Sequence, residues 1–179
     1  MGFHHLAIAV QDIDRTHRFY TEAMGFSLVK VEVVPKNGGV ARHVFYSTGP
    51  KRDQLIAFWD YGNVPLEKPL KTDISQDLGL ERGTNHIAFS ADDLEDLKLR
   101  RERWLGQGHD VLEIDHGWVH SIYTTDPDGI VVEFAVLTRD FTAEDAGEAA
   151  ALLTAKSPQP SAAPKQISMH KAAAHTRVA

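Results

Sequence analysis

The chain has no cysteine among its 179 residues, so disulfides, thiolate metal sites and cysteine nucleophiles are all excluded, and any metal must be held by nitrogen and oxygen. It has no cluster of Lys and Arg, and its net charge is −6. Nucleic acid and anionic membrane surfaces need clustered positive charge, which leaves small-molecule work as the default. No stretch is apolar enough to span a bilayer, and no basic segment with an apolar core of signal-peptide length follows Met1; a cytoplasmic protein is the simplest reading. The length suits one compact domain, or two small halves sharing one core.

What is present is a repeated pattern. Phe3–Val10 is a strand-like run, Asp12 stands where it can cap a helix over Ile13–Met24, and Gly25 stops that helix. Three β-rich runs follow, Ser27–Pro35, Val40–Thr48 and Gln54–Tyr61, separated by turn-forming segments. After a connector the pattern restarts with a strand over Asn85–Ala91, a helix over Leu94–Gly106, and strands over Asp110–Asp115, Trp118–Thr125 and Ile130–Leu137. His5-Leu-Ala-Ile leading to Asp12-Ile13 matches His86-Ile-Ala-Phe leading to Asp93-Leu94, with seven positions from His to Asp in both. The expected fold is α+β: two βαβββ modules forming a curved mixed sheet around a metal cleft. Their bounds are residues 1–62 and 84–140, with a connector at 63–83 and a C-terminal helix and disordered or partner-facing tail at 141–179.

His5 and His86 occupy equivalent places in the two modules and would face each other across a local twofold. A lone strand histidine is more often a packed or surface group; two at matching positions favour ligation. Glu133 interrupts the apolar strand Ile130-Val-Val-Glu-Phe-Ala-Val, where a carboxylate is costly to bury unless paired or metal-bound. The equivalent position of the first module is Ala57, so only one half offers a carboxylate. Two histidines and one carboxylate form an open-sided triad suited to a divalent metal.

Asp126-Pro127-Asp128-Gly129 fits a type I turn closing a hairpin with a three-residue loop. With Asp126 opposite Ile130, Tyr123 lies opposite Glu133 and shares its face, while His120 faces the other way; a two-residue loop would reverse both. His4, next to His5, is expected on the opposite face by strand alternation.

These residues resemble the glyoxalase, bleomycin-resistance and extradiol-dioxygenase superfamily over about residues 3–137, through His4-His5-Leu-Ala-Ile-Ala-Val-Gln-Asp-Ile, Phe19-Tyr20, Gly25-Phe26 and Asn85-His86-Ile-Ala-Phe. Within that span His116, Ile122-Tyr123, Asp126-Pro127, Gly129 and Glu133 are similar to the signature of type I extradiol ring-cleavage dioxygenases. The resemblance implies Fe(2+), with Mn(2+) or another divalent metal as the alternative, on His5, His86 and Glu133. His116 and Tyr123 would then be the groups beside the metal, acting on a small catechol-like aromatic substrate and O2. The dioxygen-site histidine of that family has no clean counterpart; His43, on a first-module strand, is the candidate. Two other readings stand beside this one: a metal-dependent lyase, isomerase or thiol transferase, and a metal-free small-molecule-binding resistance protein. Ala57 weighs against a glyoxalase-type site with a carboxylate from each half. Open sheet edges predict a homo-oligomer.

Overall fold

The computed structural model describes residues 3–51 and 53–173. The first module runs β1 (His5–Val10), α1 (Ile13–Arg18) widening into a π-helical turn at Phe19–Ala23, β2 (Ser27–Lys36), β3 (Gly39–Ser47) and β4 (Leu55–Asp60). The second runs β5 (His86–Ser90), α2 (Leu94–Gly106), β6 (Val111–Asp115), β7 (Val119–Thr125) and β8 (Val131–Leu137), followed by α3 (Ala143–Thr154) and β9 (Gln166–His170). The repeated aspartates do the same job twice. Asp12 accepts hydrogen bonds from the amides of Asp14 and Arg15, and Asp93 from those of Glu95 and Asp96, which satisfies amide donors that an α-helix leaves open at its start.

The strands form two mixed sheets, one in each module, ordered β1-β4-β3-β2 and β5-β8-β7-β6-β9. In each, the first strand of the module runs parallel to the last, which leaves β1 and β5 as edges. Within the stretch after residue 155, expected to have nothing to order it, Gln166–His170 forms β9 and pairs antiparallel with β6. Lys171 and the Ala172 amide anchor its end on the Asp110 carboxylate, and His170 Nε2 lies 2.7 Å from Glu113. Pairing along an edge strand supplied backbone bonds that apolar composition did not announce.

One core serves both modules. Tyr20, in the π-helical turn that follows α1, packs on Phe58 of the first sheet at 4.4 Å between ring centroids. Phe26, just beyond, meets Phe89 at 4.9 Å and Phe134 at 6.2 Å in the second sheet, and Trp104 of α2 lies on Phe134. The Asp126–Gly129 turn fastens the modules. The buried Tyr20 hydroxyl donates to Asp126 Oδ2 at 3.0 Å, and the Gln11 amide to Asp128 Oδ1 at 2.8 Å. Burial pushes the Asp126 carboxyl up to about 6 and holds the Tyr20 phenol well above its ordinary value.

Candidate metal centre

Strand alternation sorts each sheet into a core face and an open face. In the first sheet Val44, Tyr46, Ile56 and Phe58 face the core, so His5, Ala57, Phe45, His43 and Trp59 share the open face. In the second sheet Ile122, Val132 and Phe134 face the core, which turns His86, Tyr123 and Glu133 outward. The Asp126 amide bonds the Ile130 carbonyl, closing the three-residue loop, and Tyr123 pairs directly with Glu133. His120 faces the other way and lies 2.9 Å from Glu113.

Four of the expected residues gather on this open face. Glu133 has only 8 % of its side chain exposed, and His86 Nε2 stands 3.1 Å from its Oε2. His86 Nδ1 is 2.9 Å from the Gly83 carbonyl. A carbonyl only accepts, so Nδ1 carries the hydrogen, and in the neutral ring Nε2 presents a lone pair to the carboxylate. Two acceptors face each other across that gap, an arrangement that a shared proton or a bound cation resolves. An oriented imidazole and a buried carboxylate suit two of the ligands of a divalent metal. His116 Nε2 is 3.2 Å from the Tyr123 hydroxyl. Burial raises the Tyr123 phenol above its usual value, and the neighbouring Glu133 adds to the shift, so the hydroxyl stays a neutral donor at physiological pH. A cleft of about 720 Å³ opens over Glu133, walled by His116, Trp118, Tyr123 and Leu137.

His5 is not brought to this group. It lies on the open face of the other sheet, exposed, its ring edge-on to Phe45 at 5.9 Å. Among the described residues no three His, Asp or Glu side chains converge closely enough to hold a metal. Each open face lies opposite the core that the two modules share. His4 is also placed differently from expectation: its Nδ1 is 2.8 Å from His5 Nδ1, because regular strand begins only at His5. His43 shares the His5 face, stacked on Trp59 at 4.0 Å, with its Nε2 buried and unpaired. Burial lowers its pKa. The Gly83 carbonyl that orients His86 carried no signal in the sequence, since any residue supplies a carbonyl.

A search of curated protein sequences gives no match. Solved structures share the fold. A glyoxalase, bleomycin-resistance and dioxygenase domain protein from Frankia sp. EAN1pec has a TM-score of 0.57 and 17 % identity, covering 76 % of this chain and 98 % of its own. The fosfomycin resistance protein FosX of Listeria monocytogenes, solved with Mn(II) and sulfate, has a TM-score of 0.51 and 21 % identity over 81 % of this chain and 96 % of its own. Glyoxalase I of Leishmania major has a TM-score of 0.53 and 23 % identity over 84 % and 95 %. The model of the Glyoxalase/Bleomycin resistance protein/Dioxygenase superfamily matches residues 2–134, and the chain belongs to that superfamily.

Proposed function

We propose that this protein is a divalent-metal enzyme of the extradiol type, using Fe(2+) and O2 to cleave the ring of a catechol-like aromatic. The metal would be held by His86 and Glu133 of one copy and His5 of a second. The observation that carries the reaction type is the Tyr123–His116 pair beside the Glu133 carboxylate. A ferrous ion bound there would supply adjacent open positions for the two vicinal oxygens of the substrate and for dioxygen. The chain's own contribution is proton management: His116 can accept a phenolic proton through the Tyr123 hydroxyl, and Tyr123 can donate to an oxygen bound beside it. The burial of Glu133 would strengthen the attraction of its carboxylate for a cation held beside it.

A second copy is supported by two open faces that each hold part of one ligand set, and by the edge strand β2, where Leu28, Val29, Val31 and Val33 are 44–66 % exposed. A closed twofold pair would build two equal sites. Anaerobic loading with ferrous iron, followed by catechols and air, should give a yellow ring-fission product with oxygen uptake. Glu133→Ala should lose product and iron together; a protein that retains no divalent metal sinks the proposal.

One observation favours a second reading, a lyase, isomerase or thiol transferase in which the metal only polarises the substrate. His43 Nε2 is buried against Trp59 and has no partner, so the first sheet offers no well-presented histidine for dioxygen. Turnover with Mn(2+) in the absence of oxygen would select that reading.

A further inference from the structure

The superfamily match ends at residue 134, and β9 lies beyond it. Its register places it in the site's architecture. Met169 pairs with Leu112, Leu112 with Tyr123, Tyr123 with Glu133, and Glu133 with Ala88, so one unbroken row crosses all five strands on the open face. At about 4.8 Å between strands, Met169 sits roughly 14 Å from Glu133, and Leu112 roughly 10 Å.

A second cleft, of about 810 Å³, follows that row from His86 and Tyr123 outward, over Leu112, Ile114, Val131 and Met169. Met169 is 56 % exposed although its strand is fixed by backbone pairing and by the Lys171–Asp110 ion pair. The cations at the rim are already engaged, Arg82 with Asp73 and Lys171 with Asp110. Leu112, Ile114, Val131 and Met169 give the cleft an apolar stretch, while His109, Asp110, Thr124 and Thr125 line the rest of it.

We propose that β9 is a specificity wall: Met169, with Leu112 and Ile114, receives an uncharged apolar substituent of the substrate, whose reacting ring lies at His86, Tyr123 and Glu133. The inference rests on the catechol reading above and adds the class of substrate, an aromatic bearing a long apolar side chain rather than a bare ring. Covering an alkyl chain with these side chains should tighten binding by one to two powers of ten.

The test is anaerobic calorimetry on the full-length, metal-loaded protein with catechol and 4-hexylcatechol, which reads binding without turnover. Wild type should bind 4-hexylcatechol about 30-fold more tightly than catechol. Met169→Asp should cut that preference to about 3-fold and leave catechol affinity within about 2-fold, whereas Met169→Leu should keep the preference. The exposure of Met169 makes both variants compatible with folding. Equal preference in wild type and Met169→Asp, or none in wild type, overturns the role of β9 while leaving the catechol reading in place. Failure to bind either catechol overturns both.

Discussion

If the metal is held between two copies, inactive variants should rescue each other. His5→Ala removes the first-sheet ligand and Glu133→Ala the second-sheet carboxylate, and each alone spoils both sites of a twofold pair. In a mixed pair, one site takes His5 from the Glu133→Ala copy and His86 with Glu133 from the His5→Ala copy, so it is complete; the other lacks both ligands. Equal co-expression with random pairing gives half mixed pairs, each with one good site in two. Iron content and activity should therefore return to about a quarter of wild type. The assay is iron per chain and oxygen uptake on the co-purified mixture, with differently tagged copies used to isolate the mixed pair, which should reach about a half. His5 is exposed, and Glu133, although buried, lies outside the shared apolar core, so neither substitution removes a core side chain. A mixed pair isolated by both tags and no more active than its parents would refute the argument. It would mean that the ligands come from one chain.

Tyr123→Phe keeps the ring but removes the hydroxyl near His116, and should lower kcat about 100-fold with iron content unchanged; an unaltered kcat would remove the pair from the chemistry. Asp126→Asn tests the buried turn by urea unfolding across pH. Because burial raises the folded pKa to about 6, the unfolded state ionises first, and wild type should lose at most about 3 kcal/mol relative to the variant as pH rises from about 4 to about 6, with no further change above. A parallel pH dependence in the two proteins would contradict this. Trp104→Ala empties a fully buried position against Phe134 and should cost about 3–5 kcal/mol in urea unfolding; a loss below about 1 kcal/mol would mean that the core closes around the gap.

Much of the local geometry of the second module was legible in the sequence. The His-to-Asp spacing marked both modules, the two caps followed from it, and the Asp126–Gly129 turn set a register that put Tyr123 beside Glu133. These depend on local chemistry, where turn type and strand period leave few options. The relation between sheets was not legible. Leu55-Ile-Ala-Phe-Trp is apolar on both faces, so it says that the open side wants a cover and is silent on whether that cover comes from the same chain. Hence the convergence of His5 with His86 was expected within one chain, and no such cluster occurs among the described residues. The strand over Gln166–His170 escaped notice because its stability comes from pairing with β6 and from polar anchors at Glu113 and Asp110. Of the large aromatics, Phe58 and Trp104 are core, while Trp59 lies on the open face of the first sheet and Trp118 lines the cleft over Glu133.

The single core has a consequence for how the chain can be divided. Phe26 belongs to the first module by sequence yet finds its aromatic neighbours Phe89 and Phe134 in the second, and Tyr20 spends its hydroxyl on Asp126. Cut between β4 and β5, each fragment would present that apolar surface to water and strand a buried polar group. Neither half should fold alone. Fragments made separately should recombine with each other or double up with themselves, and the covalent connector works by raising the local concentration of one half around the other.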